Sequence, residues 1–281
     1  MGVMKGYNMH DFIFEKVEPS VLKYLRELQL NDLKGSVQDG TEEGIITYNA
    51  DFVKISIVGE TVGYICIGTY SYYKDTVLEY YLISKYRAFS GEIIELLARH
   101  YNCKGWIVNT HDFFAFPIML DLRLSYEIDA YKFTVDKSVG LEFDFNENVT
   151  FKITKMAELK EIYYLVMQDG FYSGGSIETL IPRIKVEELY SLRIDKKLIG
   201  VGFIGVLKRT PTYADIAMII DKEERHKGWG VLLVKALINK CRLLNIIPTA
   251  ICDVNNLTSR KTLQKSGFQL DGCILLANFK S

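Results

Sequence analysis

Apolar and polar positions along this chain follow two periods that take turns. Alternation with a period of two marks short strands at residues 12–17 and 149–154. Each leads into a stretch with apolar residues three apart, such as Leu22, Leu25 and Leu28, which is the spacing of one helix face. Two strands joined by a tight polar turn come next. One such hairpin spans 52–58 and 62–68 around Gly59-Glu60-Thr61, and the other spans 189–194 and 198–207 around Asp195-Lys196-Lys197. A further strand (77–84; 213–220) runs through a loop into a long helix. Over residues 229–244 that helix carries Leu233, Leu237, Cys241 and Leu244 on one stripe. A buried strand (106–109; 249–252), a short helix and a closing strand pair complete each half. Interleaved strands and helices predict α/β layers.

The pattern occurs twice at a constant offset of 137 residues, as from Gly63 to Gly200 and from Gly91 to Gly228. The same offset lays Phe14 on Phe151, Leu22 on Leu159, Leu25 on Ile162 and Leu28 on Leu165. An internal repeat of this length predicts two similar domains, at 1–142 and 149–281, parted by the acidic and Asn-containing stretch 140–148.

Composition narrows the picture. The chain is 48% hydrophobic and 25% charged, so it can bury a substantial core. A formal net charge of −1 and the lack of a long basic run argue against nucleic-acid or membrane binding by bulk electrostatics. Cys66, Cys103, Cys241, Cys252 and Cys273 are scattered, which suits free thiols in a reducing cytoplasm better than a zinc site or a disulfide framework. The first ten residues lack the apolar core of a signal peptide, and Gly6 breaks the myristoylation pattern that Gly2 suggests. Apolar runs fall short of the ~20 residues that span a bilayer. The expectation is a soluble cytoplasmic protein without metal, a monomer or homodimer.

The sharpest local chemistry is Arg225-His226-Lys227-Gly228-Trp229-Gly230, between a strand and the long helix. A helix start gathers unpaired backbone N–H groups at the positive end of the helix dipole. Glycines there let the backbone approach a pyrophosphate with no Cβ in the way, and Arg225 and Lys227 add positive charge. A plain glycine turn is the bland alternative. Neither Gly-x-Lys-Ser/Thr nor Gly-x-Gly-x-x-Gly is met at this junction.

Taken with Asn256-Leu257-Thr258-Ser259 and Lys265-Ser266-Gly267-Phe268, segment 215–230 resembles the GCN5-related N-acetyltransferase (GNAT) superfamily. Arg225, Gly228 and Gly230 match its phosphate loop, Arg/Gln-x-x-Gly-x-Gly/Ala. Asn256, Ser259, Gly267 and Phe268 match its later part. The resemblance implies two GNAT-like domains in tandem, each a central mixed, mostly antiparallel twisted sheet flanked by helices, with acetyl-CoA as co-substrate. It implies that Met218, Ile219 and Ile220 expose strand backbone to the pantetheine arm. The amides of His226, Lys227, Gly228, Trp229, Gly230 and Val231 would then hold the pyrophosphate, with Asn256 and Ser259 lining the opposite wall. Asn256 also reads as a helix N-cap, Trp229 as a packing residue and His226 as a solvated loop side chain.

Direct transfer needs a neutral amine, and the resemblance places a carboxylate base on the fourth strand, where Asp215 stands. Glu187 and Glu188 are acidic alternatives, and Asp169, Gly170, Phe171, Tyr172, Gly174 and Gly175 are expected to form the acceptor-side lip. The position where many relatives carry a Tyr acid holds Leu263, leaving Ser259, Ser266 or water to protonate the departing thiolate. In the first half the loop counterpart is Ala88-Phe89-Ser90-Gly91-Glu92-Ile93, where Ala88 replaces Arg225, Ile93 replaces Gly230 and Glu92 opposes an anion. Arg87 beside it is not taken as a replacement. The first half thus reads as degenerate and the second as intact. The expected function is acetyl-CoA-dependent N-acetylation of a small-molecule or peptide amine. A CoA-binding regulatory module without turnover and a non-catalytic scaffold are the alternatives.

Overall fold

The computed structural model describes residues 11–33, 50–135, 148–168 and 177–279, so the lip expected at 169–175 lies outside the described residues. It divides into two compact units. One comprises residues up to Ala130 together with those from Gly272 onward, and the other is Tyr131–Asp271.

Across the sheet of the first unit run β1 (Phe12–Val17), β2 (Ala50–Ile57), β3 (Glu60–Gly68), β4 (Thr76–Leu82) and β5 (Gly105–Asn109). The place beside β5 is taken by β12 (Phe268–Asn278), with Ile274 opposite Asn109 and Asn278 opposite Gly105. The second unit repeats the order with β7 (Val149–Ile153), β8 (Leu189–Ile194), β9 (Lys197–Val206), β10 (Tyr213–Ile220) and β11 (Ile247–Asp253). There the last place belongs to β6 (Ser125–Val135), whose Phe133 and Val135 join that unit's core. Neighbours β4–β5 and β10–β11 are parallel. The pairs β1–β2, β2–β3, β3–β4, β5–β12, β7–β8, β8–β9 and β9–β10 are antiparallel. The hydrophobic pattern predicts a closing strand pair within each half. The structure has one long strand at each place instead, and its far end completes the sheet of the other unit.

Helices cover both faces of each sheet. In the first unit, Leu22 and Leu25 at the start of α1 (Lys23–Asp32) cover one face, while Ile93, Ile94 and Leu97 of α2 (Ser90–His100) cover the other. A short α3 (Ala115–Asp121) follows β5. In the second unit, α4 (Leu159–Met167) and α5 (Ile177–Lys185) bury Ile162, Leu165, Leu180 and Ile184 on one face. On the other, α6 (Trp229–Leu243) buries Leu233, Val234 and Leu237, and α7 (Leu257–Lys265) adds Leu263. Two hairpins turn through paired positive φ values, Val58 and Gly59 in one, Asp195 and Lys196 in the other. Such turns match the twist of the flanking strands.

The spacing Gly-x-Gly-x-x-Gly, excluded at the phosphate junction, does occur at Gly200, Gly202 and Gly205. It lies inside β9 and serves packing, since a Cβ on Gly202 would stand 2.8 Å from the Leu237 side chain of α6. In the first unit the core holds a charged pair. Arg26 of α1 meets Glu79 of β4 through Nε–Oε2 at 3.2 Å and Nη2–Oε1 at 3.3 Å. The Tyr64 hydroxyl lies 3.0 Å from the same Oε2 and 2.7 Å from Gln29 Oε1.

Candidate functional site

The parallel strands β10 and β11 stay in register only from Tyr213–Ile247 to Asp215–Thr249. Beyond that pair β10 runs on to Ile220 and β11 to Asp253, and the two diverge. The β10 backbone from Ile216 onward, including Met218, Ile219 and Ile220, therefore has a β9 partner on one side and none from β11 on the other. At about 3.3 Å per residue this open edge is roughly 16 Å long.

At its far end the chain makes a 3₁₀ turn (Lys222–Glu224) capped by Asp221, whose carboxylate accepts from the Glu223 amide at 2.9 Å. Arg225 is extended, His226 has φ 62° and Gly228 has φ 89°, and α6 begins at Trp229. The first hydrogen bond into the helix is Leu232 N to Gly228 O at 3.2 Å. Among the described residues, the amides of His226, Lys227, Gly228, Trp229, Gly230 and Val231 meet no acceptor. Six such donors at a helix start are the groups with which a backbone turn can receive an anion.

The two glycines serve different ends. Gly228 needs its left-handed φ, and a Cβ there would meet nothing within 4 Å. Gly230 instead permits close packing, because its Cβ would stand 3.3 Å from Thr262 and 3.5 Å from the Met218 methyl. Arg225 is tied back through Nε to the Ile220 carbonyl at 3.1 Å. Lys227 pairs with Glu224 at 2.9 Å, as does Lys197 at 2.8 Å. Hydrogen bonds from Lys197 and then Lys227 hold the Glu224 carboxyl below its usual range. His226 is exposed, while Trp229 packs against the core with its Nε1–H buried and without an acceptor.

Across the wedge, Asn256 caps α7, its Oδ1 accepting from the Ser259 amide at 3.0 Å. The cap leaves the Nδ2 donors for another partner. The Cys252 thiol donates to the Asn256 carbonyl at 3.3 Å. Leu263 is core, and Ser266 is fully buried with its hydroxyl 2.8 Å from the Thr262 carbonyl, so neither reaches a departing thiolate. Burial pushes the Cys241 thiol up to about 12 and raises Cys252, so neither is a thiolate at neutral pH.

Asp215 sits at the vertex where the strands part. Its Oδ1 lies 3.0 Å from the Thr249 hydroxyl. Two residues on, along the same face of the strand, Ala217 is exposed despite its central position, so this face is open. Glu187 and Glu188 lie past the end of α5, Glu187 exposed at φ 61°.

The first unit has the same wedge, filled. Register between β4 and β5 ends at Val77–Trp106. Phe114, the residue at the start of α3 where Asn256 stands before α7, lies 5.4 Å from the Tyr80 ring and 5.8 Å from the Tyr81 ring. The Arg87 guanidinium stands 5.1 Å from the Phe114 ring centroid and pairs with Asp32. Arg87 Nε donates to the Leu82 carbonyl, as Arg225 does to Ile220, so Arg87 and not Ala88 is the counterpart of Arg225. With Arg87 in that place, Ser90 stands for Gly228 and Glu92 for Gly230. The 3₁₀ turn Ser84–Phe89 runs straight into α2, without a left-handed residue. Gapless alignment of the halves drifts here, by one residue at Arg87 and by five at Phe114, so the sequence alone set Ala88 against Arg225 and did not bring Phe114 to the site. At Arg87 the drift comes from the β3–β4 connection, two residues shorter than that between β9 and β10, less the one residue returned by the bulge in β4 opposite Cys66–Ile67.

Among the described residues no cluster of His, Cys, Asp or Glu could hold a metal ion, and no helix is long and apolar enough to cross a membrane.

Residues 14–136 match a family model described as an acetyltransferase (GNAT) domain, and residues 159–268 match the acetyltransferase (GNAT) family. No curated protein matches significantly. Among solved structures, an acetyltransferase of the GNAT family from Colwellia psychrerythraea superposes with TM-score 0.84 at 19% identity, covering 95% of this chain and 100% of that one. A GCN5-related N-acetyltransferase from Sphaerobacter thermophilus gives 0.66 at 12%, covering 96% and 95%. A tandem GNAT protein from the clavulanic acid biosynthesis pathway gives 0.63 at 12%, covering 96% and 99%. At these identities the likeness is one of fold.

Proposed function

Because the chain belongs to the GNAT acetyltransferases and carries two such domains in tandem, we propose that its second unit transfers an acetyl group from acetyl-CoA directly to an amine. Acetyl-CoA-dependent transfer is the general reaction of this family, and its members act on amine acceptors. The observation that carries the reading is the set of six amides at 226–231 without acceptors, at the end of an open strand edge.

In this reading the amides take the diphosphate of CoA. The β10 edge and the Asn256 Nδ2 donors line the pantetheine arm, which leads toward the vertex at Asp215. Asp215 takes a proton from the acceptor ammonium. The neutral nitrogen attacks the thioester carbonyl, a C–N bond forms, the C–S bond breaks, and CoA leaves as thiolate, protonated by Ser259 or water. The absence of a low-pKa thiol in this unit supports direct transfer over a cysteinyl intermediate. In the first unit Phe114 stands where the arm would pass, so the chain takes up one acetyl-CoA.

Isothermal titration with acetyl-CoA tests this: one site per chain, weakened by Gly228→Glu and Asn256→Ala, supports it, and wild-type affinity in both variants overturns it. The buried Leu263 favours a second reading, CoA binding without turnover. Release of free CoA thiol with a panel of amines separates the two.

A further inference from the structure

We propose that Thr249 is a positioning residue that holds the Asp215 carboxylate for the acceptor amine, an inference that rests on Asp215 being the base. Asp215 and Thr249 are the last residues paired across β10 and β11 before the strands part. The Thr249 side chain is buried, and its hydroxyl has two acceptors in reach, the Ala214 carbonyl at 3.2 Å and Asp215 Oδ1 at 3.0 Å. The carbonyl alone would satisfy a buried hydroxyl. The second contact crosses from one strand to the other at the wedge vertex, and it ties Oδ1 of the carboxylate to β11.

Where the first unit's strands part, the last pair is Val77–Trp106, with no carboxylate and no hydroxyl. The polar pair therefore occurs in the unit whose phosphate turn is open, and not in the unit whose wedge is filled. A general base must stay within hydrogen-bond reach of the proton it takes, and a locked carboxylate loses less entropy on the way to the transition state. Thr249 touches neither acetyl-CoA nor amine in this scheme and acts only through Asp215.

The test compares Thr249→Val and Thr249→Ser, each alone and combined with Asp215→Asn, by steady-state kinetics. The acceptor is whichever of 2-phenylethylamine, spermidine, glucosamine and a lysine-containing peptide the wild type acetylates fastest. Thr249→Val is expected to lower kcat about tenfold, with the acetyl-CoA Kd from titration unchanged. The serine variant should stay within about threefold of wild type, since it keeps the donor. In the Asp215→Asn background Thr249→Val should cause no further loss. Unchanged kcat in Thr249→Val, a serine variant as slow as the valine one, or a loss that persists without Asp215 overturns the positioning role alone. Wild-type kcat in Asp215→Asn, or no turnover of any of the four amines by the wild type, overturns the base and the inference with it.

Discussion

Arg87 and Arg225 make the same hydrogen bond in their respective units. Each guanidinium donates through Nε to the carbonyl five residues upstream, at 3.2 Å to Leu82 and 3.1 Å to Ile220. Around this shared anchor the two sites have diverged. Beside Arg225 the backbone bends through two left-handed residues and leaves its amides bare, whereas Arg87 lies against the aromatic filling of its wedge. An arginine at this position thus anchors the turn in both units and does not by itself mark a phosphate site.

Gly228 is the residue on which the bare turn depends. Space is not the constraint, since nothing lies within 4 Å of its missing Cβ, but φ is 89°. Gly228→Ala should cost about 1 kcal/mol of stability through backbone strain while weakening acetyl-CoA only modestly. Gly228→Glu should cost the same strain and much more affinity. Denaturant melts beside calorimetric titration of the two variants separate strain from charge.

Asn256 combines two roles that substitution can part. Asn256→Asp keeps an oxygen for the Ser259 amide but loses the Nδ2 donors. Its melting temperature should match wild type while acetyl-CoA affinity falls. Asn256→Ala should lose affinity and also about 1 kcal/mol of cap energy. Equal affinity in wild type and Asn256→Asp would remove the amide from the binding wall.

Glu224 holds Lys197 and Lys227 together, which limits the positive field at the turn. Glu224→Gln should tighten acetyl-CoA binding about threefold at low salt, an effect that fades as ionic strength rises. The acid route to the same release is narrow. The two lysines hold this carboxyl below 4.5, so it stays ionised through neutral pH. The stability it contributes is present above its unfolded value and is lost only as pH falls through the depressed folded one. Titrations at two salt concentrations check the sign.

Glu79 and Arg26 are a partly buried pair whose worth lies in being complete. Glu79→Ala takes the carboxylate away from both Arg26 and Tyr64 and should destabilise the chain by about 3 kcal/mol, whereas replacing Glu79 and Arg26 together by apolar residues of similar volume should cost far less. Thermal melts of the single and double variants decide this.

The repeat, the element order and the turn at Arg225–Gly230 were legible in sequence because they rest on local spacing and on glycine, whose backbone freedom is specific. Three features were not. Gly230 and Gly228 look alike in sequence, and only the neighbouring Thr262 and Met218 reveal that one exists for packing. Phe114 reads as an ordinary core aromatic until its ring is seen against Tyr80 and Tyr81, past the point where β4 and β5 part. The origin of the last strand in each sheet was hidden too, because hydrophobic alternation announces a strand without naming its partner.

That last feature governs how the molecule can be divided. A polypeptide stopped in the 140–148 stretch would lack Ile274–Asn278, leaving β5 with an uncovered row of backbone donors and acceptors. The complementary fragment would lose Phe133 and Val135 and carry a surplus strand in β12. Uncovered edges invite aggregation, so neither half is a self-sufficient folding module when severed there. Mixed in one tube, the fragments would have reason to find each other, since each holds the strand that the other is missing.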